Sequence, residues 1–385
     1  MKAIINAQIL LEDQIIEEGY LLFDEKIRGY GCISDFEETL SRLELSRDTV
    51  EIIEGEGRFV GPGFIDIHIH GAGGSDTMDG TQEALEIIST TVLKSGVTRF
   101  LATTMTMASD EIRAALEAIR ERVKRQKNQK TAQILGVHLE GPFINVAKKG
   151  AQNGQYVVPP DFEWVKPYLD LIKIITIAPE NDAHFEFIEQ MKAYPKVKLS
   201  IGHTNSNFET AMSAFENGVT HITHCFNAMP SLHHREPGVI GALMSEPFTA
   251  ELIADGIHVH KGLFKGLIKC VDKDKLVLIT DSMRAGGLEE GQYDLGGQNV
   301  IVKEGACRLE DGTLAGSVLT MNQAARNFAR HTELPLNEIV NLVSLNPAKV
   351  IGMDTDYGSL GIGKVADINI FDEHFNITRT FVDGF

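Results

Sequence analysis

No apolar run in this chain approaches the roughly 18 residues that a membrane-spanning helix needs, so a helical membrane protein is excluded. Cysteine is sparse: Cys32, Cys225, Cys270 and Cys307 stand far apart and form no C-x-x-C pair. That leaves no paired-thiol motif and makes reduced thiols in a cytoplasmic protein the expectation. Positive charge is scarce too. The formal net charge is −18, and the one basic block is KRQKNQK near residue 127, read as helical. Nucleic acid and anionic membranes are excluded as partners on that balance. An anionic small molecule is not, provided a local cluster of positive groups meets it. The opening MKAIINAQILLEDQ has no small-residue cleavage site and carries acids straight after its apolar residues, so no secretory signal is expected there.

What is present reads as two kinds of texture. At 385 residues, with 43% hydrophobic and 23% charged, the chain has the composition of a soluble globular protein and exceeds the usual size of one domain. KAIINAQIL, GYLLFDEKIRGYG and TVEIIEGEGRFV near the start, and KVADINIFD and ITRTFVDGF near the end, read as strands between turn signals. They predict a small β-sandwich domain built from residues 1–60 and 355–385. Over 61–354 apolar strands alternate with amphipathic helices. Candidate strands lie at 63–70, 97–104, 134–140, 172–179, 197–203, 219–226, 249–255 and 275–281. SDEIRAALEAIRERVKRQ lines up Ile112, Ala115, Leu116, Ile119 and Val123 behind a Ser109/Asp110 cap. FETAMSAFENG groups Ala211, Ala214 and Phe215 ahead of Gly218 as a helix stop. Eight strands with helical crossovers predict an α/β fold, a (β/α)8 TIM-type barrel. The runner-up, an open doubly wound sheet, lacks a Gly-rich fingerprint after its first strand.

The barrel expectation centres on GFIDIHIHG, residues 63–71, which follows the turn signal Gly61-Pro62. Residues two apart share a strand face, so Asp66, His68 and His70 are expected to project together. Two imidazoles on one face can grip a divalent metal. In a barrel, catalytic side chains gather at strand carboxyl ends. The third candidate strand ends in Glu140, the fifth in His203, the sixth in His224 and the eighth in Asp281. A single histidine at a strand end is ordinarily a hydrogen-bonded core residue. Six metal-competent side chains at one end of five strands are not scatter. The same parity puts His221 and Cys225 opposite to His224, towards the helices, with no chemistry assigned. His138 shares a face with Glu140 one layer deeper, as either a supporting residue or packing.

These residues carry a resemblance. HxH on the first strand, single histidines on the fifth and sixth and Asp on the eighth look like the amidohydrolase superfamily. Within it, the sequence closely resembles the N-acetylglucosamine-6-phosphate deacetylases. PGFIDIHIHG, GVHLEGPFIN with KKGA, IGHTN, THCFNAMPSLHHREPG, IADGIHVH, ITDSM and LAGSVLTMNQAARN carry it through the whole barrel, in family order. The resemblance implies that Glu140, His203 and His224 hold the principal metal and that Asp281 is the catalytic acid/base. His68 and His70 match members with a second metal bridged by Glu140. Asn227, Ala228, Arg235, His258 and the turn Leu314-Ala315-Gly316 match sugar-phosphate contacts. A homodimer is implied as well, with Arg235 reaching into the neighbouring subunit. One position departs: after KKGA many relatives carry a histidine against the sugar, and here Gln152 stands, an amide that can hydrogen-bond but not carry charge.

The chemistry agrees with the residues. Amide hydrolysis at neutral pH needs an activated water and a stabilised oxyanion, both of which a divalent metal supplies. A single Asp281 could take the water's proton and deliver it to the departing amine. Carboxylate and imidazole ligands suit zinc first, and iron, manganese or cobalt as well, at one or two ions per chain. SLHHREP supplies the positive cluster that an anionic substrate requires, with Arg235 suited to bidentate phosphate binding. Lys148 and Lys149 are expected to face solvent. The expected products are glucosamine 6-phosphate and acetate. Two rivals remain: an amidohydrolase acting on another amide, weakened because Lys173 sits only at the start of its strand, and a catalytically inactive barrel used as a binding module.

Overall fold

The structure, a computed structural model, describes residues 1–127 and 129–385. Both faces of Lys2–Leu10 (β1) are apolar: Ile4, Ala7 and Ile9 enter one core, and Ala3 and Ile5 another. β1 pairs antiparallel with Ile15–Phe23 (β2), which pairs with Ile27–Cys32 (β3). On its other edge Glu51–Glu54 (β4) and Phe59–Pro62 (β5) run parallel to its two halves.

The chain then enters the barrel through Phe64–Ile69 (β6), a strand buried along its whole length. A short hairpin follows, Gly71–Ala72 (β7) with Ser75–Asp76 (β8). The remaining barrel strands are Val97–Thr103 (β9), Gln133–Glu140 (β10), Ile172–Ile177 (β11), Lys198–Ile201 (β12), His221–Ile222 (β13), Thr249–Ile253 (β14) and Leu276–Ile279 (β15). All eight expected strands are present. They pair in parallel in chain order. The ring closes where the Asp281 N–H donates to His68 O at 2.9 Å and the His70 N–H donates to Ser282 O at 2.9 Å. This is a (β/α)8 barrel, and its carboxyl end is where these closing bonds lie.

After the eighth strand comes a three-stranded antiparallel sheet that the sequence reading missed: Gly291–Leu295 (β16), Gln298–Lys303 (β17) and Ala306–Arg308 (β18). Its signal was there. Gly296 and Gly297 both take positive φ, 57° and 80°, as a two-residue hairpin turn of the primed type demands. The chain ends in Ile368–Phe371 (β19) and Ile377–Phe381 (β20), which add to β5. The terminal sheet therefore runs β20-β19-β5-β1-β2-β3. Four pairing steps separate β20 from β2, about 19 Å if the sheet were flat. Yet the rings of Phe23 and Phe381 stack edge-on at 5.1 Å. The sheet has curled onto itself into a sandwich around Ile4, Leu21, Val60, Ile368 and Phe381.

The helices match expectation with two changes. Ser109–Arg125 buries Ile112, Ala115, Leu116 and Ile119, but its fifth buried residue is Arg122 rather than Val123. Ser109 lies inside the first turn, where its hydroxyl accepts from Trp164 Nε1 at 2.7 Å instead of capping. The basic stretch 124–130 leaves the helix at Arg125, because the Gln126 amide turns to bond the backbone N–H and carbonyl of Ile134. Asn128 of that stretch lies outside the described residues. Phe208–Glu216 is capped by Asn207 and ends ahead of Gly218, at φ 103°. Among the described residues, no helix is long and apolar enough to cross a membrane.

Candidate metal and catalytic site

Short strands set the geometry. β12, β13 and β15 end before the residues that matter, and the chain leaves them in left-handed backbone at His203 (φ 46°), His224 (φ 27°) and Asp281 (φ 49°). Such angles are unfavourable for residues with a Cβ and persist only where the surroundings impose them. Their effect is to swing three side chains inward over the barrel mouth. Glu140, at the end of β10, receives them. Its Oε1 lies 3.2 Å from His203 Nε2, 3.0 Å from His224 Nε2 and 3.4 Å from His68 Nε2. Its Oε2 lies 3.2 Å from His70 Nε2. One carboxylate thus meets all four histidines. Asp281 Oδ1 sits 3.3 Å from His70 Nε2 and 3.5 Å from His68 Nε2.

Two triples of donor atoms result, Glu140/His203/His224 and His68/His70/Asp281. The residues fit a metal on hydrogen-bond grounds. His203 Nδ1 is 2.9 Å from the carbonyl of Lys148, which can only accept, so Nδ1 carries the proton and the Nε2 lone pair faces the site. His68 Nδ1 likewise donates to Glu251 Oε2 at 2.8 Å. His203 and His224 present their Nε2 atoms 3.0 Å apart beside the same carboxylate oxygen. Neutral lone pairs packed against a carboxylate repel, and a shared cation removes the repulsion. His68 Nε2, which faces the site, makes no hydrogen bond among the described residues. With no cation, the site draws protons instead. Burial lowers the basicity of His68 and His70, but the carboxylates outweigh it: Glu251, Glu140 and Asp281 hold His68 well above the usual imidazole value, and Asp281 and Glu140 push His70 up to about 9. Burial raises Glu140 and Asp281, and the histidines bring both back below the ordinary carboxylate range.

Above the triples opens a cavity of about 670 Å³. It is lined by His70, Glu140, Gln152, His203, His224, Asn227, Ala228, His258, Asp281, Leu314 and Gly316, as the motifs anticipated. His68 lies beneath it, fully buried. Two anticipated residues are not in it. Ala315 is buried with its N–H on Cys307 O, and Arg235 lies on an exposed loop with Nη1 2.7 Å from His234 Nε2. Lys148 and Lys149, expected to face solvent, are half-buried and line the mouth together with Arg308. His258 is oriented by Asp255, Nδ1 to Oδ2 at 2.6 Å. Gln152 is 2% exposed, and its amide is largely used: its oxygen accepts from the Thr106 N–H at 2.5 Å and its nitrogen donates to Glu140 Oε2 at 2.7 Å.

Two placements differ from the parity reading, those of Asp66 and His221. Asp66 does not join His68 and His70. Its carboxylate takes the Thr280 hydroxyl at 2.5 Å and lines a separate cavity of about 180 Å³, where burial pushes it up to about 7. His221 points into the barrel rather than at the helices, bonding Glu251 Oε1 at 3.2 Å and Thr249 Oγ1 at 2.7 Å. The rule failed because His224 lies past β13, where the left-handed turn reverses the alternation. His138 is a supporting residue: Nδ1 donates to Ile67 O, Nε2 meets Thr176 Oγ1, and burial with the charge of His68 pushes it down to about 3. Cys225 packs in the apolar shell. Glu251 was overlooked altogether, although a lone acid inside the apolar strand TAELI was its signal.

Comparison with known proteins accords with this geometry. The amidohydrolase family model matches residues 59–385. An N-acetylglucosamine-6-phosphate deacetylase of Bacillus subtilis (strain 168) is 40% identical over 98% of this chain and 94% of its own length. An N-acetylgalactosamine-6-phosphate deacetylase of Escherichia coli O157:H7 is 34% identical over 87% of this chain and 89% of its own. The crystal structure of N-acetylglucosamine-6-phosphate deacetylase from Pasteurella multocida superposes with a TM-score of 0.91 at 31% identity, covering 100% of this chain and 98% of that one. A continuous match from the last strand before the barrel to the C-terminal residue, with the same fold throughout, makes this chain a member of the amidohydrolase family.

Proposed function

We propose that the protein hydrolyses the acetamide of N-acetylglucosamine 6-phosphate, giving glucosamine 6-phosphate and acetate. The observation that carries this reading is the meeting of four histidines on Glu140, with Asp281 beside them, at the floor of a cavity of sugar-phosphate size. Glu140, His203 and His224 would hold the principal divalent ion and His68 and His70 a second, with zinc the first choice and iron, manganese or cobalt also suited to these donors. Bound there, the metal supplies Lewis acidity, which lowers the pKa of water and draws electron density from a carbonyl.

The chain's own residues do the rest. Asp281, kept ionised by His68 and His70, takes the proton of the attacking water and returns it to the nitrogen as the C–N bond breaks. Atoms balance: water and the amide become acetate and the protonated amine, which takes up the proton that the new carboxylic acid releases. His258, fixed by Asp255, and Asn227 with the Ala228 backbone face the sugar-phosphate end. Lys148, Lys149 and Arg308 add positive charge at the mouth.

A homodimer is part of the same reading. Arg235 stands outside its own cavity, and Leu232, Met244 and Leu263, all about half-exposed, rim an apolar groove nearby. A second copy covering that groove would receive Arg235 as a phosphate ligand. Exposed, unpaired Cys32 and Cys270 suit a reducing cytoplasm. The two-part division into 61–354 and 1–60 with 355–385 belongs to the reading as well.

Acetate release tests it. Metal-loaded protein should deacetylate N-acetylglucosamine 6-phosphate far faster than its unphosphorylated form, and metal-free protein should not act. Preference for N-acetylgalactosamine 6-phosphate would move the assignment to the epimer, and no release from any of them would leave a binding module.

A further inference from the structure

Beneath both donor triples lies a carboxylate that the proposed mechanism does not use. Glu251, in β14, is fully buried. Its Oε2 accepts the Nδ1–H of His68 at 2.8 Å and the backbone N–H of His224 at 3.0 Å. Its Oε1 meets His221 Nε2 at 3.2 Å. Glu251, His68 and His138 also cluster closely enough to suggest a third metal position. The hydrogen bonds argue against one. Both nitrogens of His138 are committed, and a proton lies between His68 and Glu251.

Resting on the metal reading above, the geometry points to Glu251 as a positioning residue that braces one donor in each triple. It holds the proton of His68 on Nδ1, which leaves Nε2 as the lone-pair donor. With the proton on Nε2, His68 could not ligate at all. A carboxylate behind a ligating histidine also raises its basicity. Through the His224 N–H, the same oxygen anchors the left-handed turn that aims His224 at Glu140. Removing the charge should therefore weaken the His68 site most. Removing the acceptor should weaken both.

The test uses metal-free full-length protein titrated with Zn²⁺ or Co²⁺ alone. Glu251→Gln keeps the shape: the amide oxygen can accept from His68 and His224, and the amide nitrogen can donate to His221 Nε2 once the His221 proton moves to Nδ1, facing Thr249 Oγ1. It should still fold when metal-free, melting lower because buried His68 loses the charge that faces it, and bind the weaker metal about 10–100-fold less tightly, with a shifted Co²⁺ spectrum at that site. Glu251→Leu should lose affinity at both. Nitrogen-resolved imidazole spectra of the Zn²⁺-loaded unmutated protein, with His68→Asn as the assignment control, should show His68 protonated on Nδ1 and bare on Nε2. That reading does not depend on any variant folding. A His68 proton on Nε2 in the Zn²⁺-loaded protein, or two metals bound equally well by Glu251→Gln, would overturn the brace and leave the proposed function standing. Unmutated protein that binds no metal would overturn both.

Discussion

The two ends of the barrel each bury a charged cluster, and the clusters are built to opposite rules. At the amino end Arg99 is 2% exposed, and its guanidinium is enclosed by acceptors. Asp367 takes Nε at 2.6 Å and Nη2 at 2.9 Å, Asp383 takes Nη2 at 2.5 Å, and Gln133 takes Nη1. The ring of Tyr357 lies 4.7 Å away. Burial alone would lower its pKa, but Asp367, with Asp383 beyond, holds it far higher. Both acids come from the C-terminal segment, so this cluster ties the terminal β domain to the barrel. At the carboxyl end imidazole nitrogens face one another, His68 Nε2 makes no hydrogen bond among the described residues, and the backbone is left-handed at His203, His224 and Asp281. A buried charge that the chain satisfies is structural. A buried cluster that the chain leaves unsatisfied is shaped for something the chain does not contain.

Substitutions at each end should separate stability from chemistry. The largest effect is expected at the carboxyl end: Asp281→Asn should cost about a thousandfold in turnover, with folding and the principal metal retained. Turnover near normal would remove Asp281 from the proton transfers. At the amino end, Arg99→Met should cost about 3–5 kcal/mol of stability, because it strands the buried Asp367 carboxylate. Metal content and turnover of the folded fraction should hardly change. A denaturant melt beside elemental analysis checks both, and lost metal with intact stability would reverse the roles of the two ends.

A smaller, selective effect is expected outside the cavity. Arg235→Ala should raise KM for the phosphorylated substrate about 10–100-fold, as for loss of a charge-assisted phosphate contact. Slow hydrolysis of unphosphorylated N-acetylglucosamine should stay the same. Equal losses on both would make Arg235 structural.

The smallest signal is a proton count. In the metal-free protein His70 sits at about 9 against an ordinary 6.5, so at pH 7 it carries a proton that an incoming metal must displace. Calorimetry in buffers of different ionisation heat should show proton release, and affinity rising with pH up to about 9. Stability of the metal-free form runs the other way. The contribution of His70 is full below pH 6.5 and is lost as pH climbs through 9. Binding with no buffer dependence would take His70 out of the ligand set.

Much of the carboxyl end was legible because its residues sit at strand ends, and strand ends are marked by apolar runs and glycines. GFIDIHIHG, HLEGPF and ITDS mark the strand ends that carry His68, His70, Glu140 and Asp281. What was not legible depends on where regular alternation stops. Nothing in THITHC announces that β13 ends at Ile222 and that His224 turns left-handed, so His221 was assigned to the wrong side. Asp66 was grouped with the histidines by the same alternation, and Thr280 draws it away. Glu251 and Gln152 act through other side chains, at 12 to 183 positions' separation, which no local pattern encodes. The amino-end cluster needs Arg99 and Asp367 brought together from 268 positions apart. Pairing of the chain ends predicted the sheet there, but not its charge.

The unsatisfied cluster is the centre of the account, and metal count tests it most directly. Metal-free protein titrated with Zn²⁺, with acetate release from N-acetylglucosamine 6-phosphate followed in parallel, should start inactive and plateau at two ions per chain. His70→Gln should plateau at one and keep measurable activity, whereas His224→Asn should have none. Full acetate release without metal, or a plateau at one that His70→Gln leaves unchanged, would contradict it.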